Sequence, residues 1–166
     1  MPKILLLGSG GLLGSNILHE ISKYKDFQVI TTARESHANY KFNYSPRNLA
    51  NLIKHVRPDF VINCIAATSA DTPFNTSLKV NSLLPIQLAV LSRQLGFQVI
   101  HFSTNAVFSG NKKINTESTF ALPRTYYGIT KLFGDISALQ NTVLRTSFIG
   151  DSQSDGNPRN FLNKLR

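Results

Sequence analysis

At 166 residues, with 42% hydrophobic and 16% charged residues, the chain has the length and composition of one globular domain with its own core, which excludes a disordered segment. No apolar run approaches the ~20 residues that span a bilayer, and the apolar N-terminal stretch lacks the pattern of a signal peptide, so a cytoplasmic protein that does not enter a membrane is expected. The net charge of +9 is spread along the chain rather than interleaved with aromatics in one run, which points to anionic small molecules and away from nucleic acid.

The apolar run KILLL, ending at Leu7, reads as a buried strand, and apolar residues at Leu13, Ile17, Leu18, Ile21 and Tyr24 then recur at helical intervals as far as Asp26. Residues 27–32 read as a second strand and 39–42 as a weaker third. Ser45 before Pro46 starts a helix, the hydroxyl capping free amides while proline takes a position that needs no N–H. That helix presents Leu49, Leu52, Ile53 and Val56 on one face and stops before Pro58. Residues 59–66 form a central strand with the single cysteine, Cys64, as a small core residue. Residues 76–95 are helical in period with Gly96 as the C-terminal cap, 97–103 are a strand, 109–119 a polar loop, and 141–149 the last strand. This alternation predicts an α/β fold, a doubly wound parallel sheet with helices on both faces.

Between the first strand and helix, GSGGLLG sets Gly8, Gly11 and Gly14 three apart. Glycines there allow a tight turn, close backbone approach to a pyrophosphate, and tight helix packing. The helix start, at Gly11, Leu12, Leu13 and Gly14, offers unpaired amides and the positive end of a dipole to phosphates. At the tip of the second strand, where an acid would read both ribose hydroxyls of NAD, stands Arg34, with Glu35 just beyond. NADP(H) is therefore preferred, with NAD(H) as the alternative.

The stretch TYYGITK holds two tyrosines and a lysine. On a helix Tyr126 and Lys131 are separated by roughly 140° and Tyr127 and Lys131 by roughly 40°, so Tyr127 is the one placed beside the ammonium. Thr104, at the end of the preceding strand, converges on the same crevice. Hydride addition to a ketone builds charge on oxygen, and Tyr127 is positioned to donate the proton that quenches it, with Lys131 expected to draw the phenol from ~10 towards neutrality. Ile129, Leu132, Phe133 and Ile136 are expected to bury the same helix.

The ordered set GSGGLLG, NCIAAT, KVN, HFSTNAVFSG, YYGITK and LRTSFIG resembles the extended short-chain dehydrogenase/reductase family, in its dTDP-4-dehydrorhamnose reductase branch. The resemblance implies an NAD(P)-binding Rossmann domain over 1–150 in which Thr104, Tyr127 and Lys131 match the family triad. It further implies that Lys131 binds the nicotinamide ribose, that Ala66 and Ala67 line the cofactor, and that Asn81 is the family's helix asparagine. The expected activity is NAD(P)H-dependent reduction of a keto-sugar nucleotide, compatible with a homodimer. A nucleotide-sugar epimerase or dehydratase, and a non-catalytic NAD(P)-binding regulatory subunit, are the alternatives. Two departures bear on specificity: Asn105 and Ala106 replace an acid and an aromatic, and relatives continue for roughly a hundred further residues, so 151–166 reads as the start of a truncated or missing substrate region. Pro85, four residues after Asn81, leaves the Asn81 carbonyl without its helical donor, and that carbonyl is expected to hold a water linked to Lys131.

Overall fold

Residues 1–34, 37–69, 71–110, 114–135 and 141–147 are described by the computed structural model. Among them run the strands β1 (Lys3–Leu7), β2 (Gln28–Ala33), β3 (Tyr40–Lys41), β4 (Phe60–Asn63), β5 (Gln98–Thr104) and β6 (Thr142–Thr146). All pair in parallel, in the order β3-β2-β1-β4-β5-β6. The chain winds outward from β1 to β3, then returns past β1 to build the other half. Such a reversal opens a crevice at the carboxyl ends of β1 and β4.

Alternation along β1 shows why its sequence is apolar without a break. Leu5 and Leu7 enter one core with Leu49, Ile53, Val61, Leu88 and Val99, while Ile4 and Leu6 enter a second with Ile62, Ile17 and Leu18. Both faces are covered, by α1 (Leu12–Ile21) on one side and by α2 (Pro46–Val56) and α4 (Leu84–Leu95) on the other. The Ser45 hydroxyl accepts from the Asn48 N–H at 3.1 Å, with Pro46 in the first turn. Gly96 caps α4 at φ +82°, a conformation that favours glycine.

Several expectations are corrected. The first helix ends at Ile21, so Tyr24 lies beyond it and is 56% exposed. The fourth strand stops at Asn63 rather than running to 66, because the Asn63 side-chain oxygen takes the Ile65 N–H at 3.1 Å and turns the chain out of the sheet. The stretch expected as one helix begins earlier, as α3 (Phe74–Leu78), and passes through a π turn at Lys79–Leu83 before continuing as α4. Pro85 has no N–H for the carbonyl of Asn81, and the ladder widens next to it: the Leu84 N–H reaches back to the Lys79 carbonyl.

The buried face of α5 (Tyr126–Gly134) also differs from the apolar stripe expected. It consists of Gly128, Thr130, Lys131 and Gly134, whereas Ile129 and Leu132 are only partly buried and Phe133 is 46% exposed. Ile136, Glu35, the end of the last expected strand and the segment 151–166 lie outside the described residues.

Candidate functional site

The glycine loop divides its labour. Gly8 adopts φ +82° and packs against Ile65 and Cys64, so the turn off β1 requires glycine. At Gly14 a Cβ would collide with the Gly8 carbonyl and with Ser9, which sets the closeness of α1 to the loop. Gly11 is different: a Cβ there would meet only the Gly8 oxygen, at an ordinary 3.5 Å. Among the described residues no contact demands glycine at that position, and it is the N-cap of α1, next to the Leu12 and Leu13 amides. An open cradle at a helix start fits the phosphates of a dinucleotide. Arg34 follows β2 and is exposed.

Asn81, expected on a helix, is fully buried within the π turn. Its side chain accepts from the Ala67 N–H at 2.9 Å and donates to the Ala67 carbonyl at 3.0 Å, pinning the loop after β4. It also donates to the Thr130 hydroxyl at 3.0 Å, while Ser82 donates to the Thr130 carbonyl at 2.6 Å. One turn of helix thus fixes both the Ala67 backbone and α5. The Asn81 carbonyl faces Gly134, where a Cβ would strike it and the Pro85 ring. The direct contacts of Lys131 Nζ are to the Phe102 carbonyl and the His101 ring.

A second glycine places Tyr127. Gly128 sits against the carbonyl of Ala106 in a 3₁₀ turn at Asn105–Val107, too close for any Cβ. The Thr125 hydroxyl caps α5 by accepting from the Gly128 N–H at 3.0 Å. Tyr127 is thereby brought beside Thr104, which is 7% exposed and whose hydroxyl accepts from the Ala106 N–H at 3.2 Å. Tyr126 points away, 74% exposed and edge-on to Phe74 with ring centres 5.5 Å apart.

Lys131 is 1% exposed, and its Nζ donates to the carbonyl of Phe102 and lies 3.4 Å from His101 Nε2. β4 ends opposite His101, so Phe102 has no partner on that strand and its carbonyl is open to the lysine. Burial pushes Lys131 down to about 8, against Asp135 and Cys64, which favour the ammonium. The expectation that Lys131 draws the phenol down is not what the surroundings of Tyr127 produce. Burial raises the phenol, the Thr104 hydrogen bond opposes it, and Lys131 makes no resolved contribution. Tyr127 is thus held protonated.

Asn63 and His101 open the stretches NCIAAT and HFSTNAVFSG but carry no role assigned from them; both are buried on neighbouring strands and joined at 3.0 Å. Polar residues inside the otherwise apolar strands were the signal available. Gly128 and Gly134 were equally silent, because their demand comes from other elements. Among the described residues no group of three or more His, Cys, Asp or Glu could hold a metal, and no helix is long and apolar enough to cross a membrane.

A six-stranded parallel sheet in this order, with a glycine turn at the first crossover and polar groups gathered at the strand ends, defines the Rossmann class of nucleotide-binding α/β proteins. Residues 2–166 match the family described as RmlD substrate binding domain, and the chain belongs to that family. The dTDP-4-dehydrorhamnose reductase of Shigella flexneri is 29% identical over 157 residues, which cover 88% of this chain and 51% of that protein. A crystal structure of a dTDP-4-dehydrorhamnose reductase from Clostridium acetobutylicum superposes with a TM-score of 0.83 at 28% identity, covering 98% of this chain and 57% of that one. The Bacillus anthracis dTDP-4-dehydrorhamnose reductase, solved in complex with NADP, shares the fold with a TM-score of 0.85 at 21% identity, over 99% of this chain and 59% of that one. The chain spans about half the length of the curated relatives it matches.

Proposed function

We propose that this chain carries the cofactor-binding and proton-donating part of an NADPH-dependent reductase acting on a keto-sugar nucleotide. The observation that carries the reading is the half-buried Tyr127 beside the buried Thr104, at the carboxyl end of β5 and so on the same side of the sheet as the glycine loop after β1. Two findings about relatives support it: the Shigella flexneri protein is a dTDP-4-dehydrorhamnose reductase, and the Bacillus anthracis one was solved with NADP.

The residues divide the work as follows. Gly8 and Gly11 with the first amides of α1 would hold the pyrophosphate, Arg34 the 2′-phosphate, and Ala66 and Ala67 the wall beside the ring, with Ala67 fixed by Asn81. The bound dinucleotide supplies a hydride to the keto carbon. Tyr127 gives its phenolic proton to the carbonyl oxygen, and Thr104 steadies that oxygen and the phenol together. Lys131 is the cation assigned to the nicotinamide ribose and to the electrostatics of the site. Asn105 and Ala106 set the sugar-facing wall, without the charge and ring present there in related reductases.

The test is binding and turnover. NADPH is expected to bind the 166-residue chain more tightly than NADH, seen as a change in nicotinamide fluorescence. Failure of both to bind overturns the reading. Binding without turnover, in a form of the protein extended to the length of its relatives, supports a regulatory nucleotide-binding role instead.

A further inference from the structure

His101 is a buried histidine with no place in the scheme above. Its surroundings fix where its proton sits. The Ile65 N–H donates to the Asn63 Oδ1 at 3.1 Å, and this orients the amide so that Nδ2 faces the ring. Asn63 Nδ2 then lies 3.0 Å from His101 Nδ1, which must accept. A neutral ring that accepts at Nδ1 carries its hydrogen on Nε2, and Nε2 lies 3.4 Å from Lys131 Nζ. Two donors face each other there if Lys131 is an ammonium. One arrangement sets no donor against a donor: Ile65 N–H to Asn63, Asn63 to His101, His101 to the lone pair of a neutral Lys131 amine, and that amine to the Phe102 carbonyl.

We propose that Asn63 and His101 form a positioning pair that docks Lys131 on β5 as its neutral amine, and that taking up a proton frees the ammonium from the ring. The other tautomer fails on the opposite side, where Nδ1–H meets the Asn63 amide. The remaining groups that face Lys131 are Cys64 just past β4 and Asp135 one turn along α5, which is paired with Arg145 of β6 at 2.9 Å. Tyr127 lies one turn before it on α5. Cys64, its thiol pushed up to about 12 by burial, is neutral. His101 is itself driven down to about 3, chiefly by burial and further by Lys131, so the ring does not compete for the proton. The balance is one proton gained by Nζ from solvent and one hydrogen bond from His101 broken. The consequence for catalysis rests on the reading that Lys131 serves the cofactor; the proton order in the free chain does not.

Nuclear magnetic resonance of the isotopically labelled 166-residue chain without cofactor decides it. The His101 ring, assigned through its backbone, is expected to show the Nε2–H pattern of nitrogen shifts and no titration between about pH 5 and 8. The Lys131 ε-methylene is expected to titrate with a midpoint at or below about 8. In His101→Phe, which removes the facing donor, and in Asn63→Leu, which frees the ring to take either tautomer, that midpoint is expected to rise by about one pH unit. An Nδ1–H ring, or a ring that titrates in this window, overturns the proposal. So does a Lys131 midpoint unchanged in both folded variants, which would leave His101 as packing alone. If neither variant folds, the wild-type tautomer decides. A confirmed tautomer in a chain that binds no NADPH sinks the functional reading and leaves the positioning pair standing.

Discussion

Two tyrosines one residue apart meet different fates because α5 turns between them. Tyr127 is half-buried against Thr104 and Tyr126 is in solvent. In a reductase of full length, Tyr127→Phe is expected to lower kcat by about 10²- to 10⁴-fold with little change in nucleotide binding, and Tyr126→Phe to do far less. Steady-state kinetics on both variants check this, and equal activity in the two would remove Tyr127 as the acid. Two loop glycines allow a similar contrast. Gly14→Ala drives a Cβ into the Gly8–Ser9 backbone and is expected to cost about 1–3 kcal/mol of stability in urea unfolding. Gly11→Ala is expected to stay within about 0.5 kcal/mol of wild type while weakening NADPH binding by about tenfold or more, since only a ligand needs the space.

The buried bases add a pH signature. Lys131 titrates at about 8 in the folded chain against 10.5 unfolded, so between those values the unfolded chain holds a proton the folded one has shed, and stability rises with pH by about 1.4 kcal/mol per unit. His101, lowered from 6.5 to about 3, gives the same sign lower down: stability falls as pH drops from 6.5 towards 3. Urea unfolding across both windows, compared with Lys131→Met for the alkaline rise and His101→Phe for the acid fall, should show each slope flattened in its own variant.

At the scale of elements, the π turn is the joint on which the site depends. Asn81 and Ser82 hold the Ala67 backbone and Thr130 from one turn, and Gly134 lets α5 close over it. Asn81→Ala removes the partner of the part-buried donor and acceptor of Ala67, and about 1–2 kcal/mol of stability is expected to be lost. NADPH binding should fall with it, because the loop after β4 loses its anchor. A variant with unchanged unfolding would show that Asn81 carries no such load. The sequence made part of this joint readable: Pro85 marked the place where a regular ladder fails. It did not reveal how the backbone absorbs the defect. The same holds for α5, where helical period correctly separated Tyr127 from Tyr126 but misjudged the buried face. Its apolar residues pack only in part, whereas Gly128, Thr130 and Gly134 are buried by neighbours far away in the chain. Packing of backbone on backbone leaves no hydrophobic pattern to read.

For the whole molecule, the parallel, doubly wound sheet and the glycine turn after its first strand were legible because they follow from alternation and from the handedness of crossovers. The strand ends were not, and they are where the chemistry gathers. β1 and β4 are paired on both sides and β3 on one, so hydrogen exchange is expected to be slowest in β1 and β4 and fastest in β3, measured amide by amide. Within that frame β4 stops opposite His101, while β5 continues through Phe102, Ser103 and Thr104 with only β6 alongside. Those three residues form a cantilever, clamped along one edge, with Thr104 at its free end. The bond from Lys131 to the Phe102 carbonyl is a strut beneath it. A load on that strut, whether a proton or a ligand that draws the lysine away, is felt first at the tip that holds the phenol.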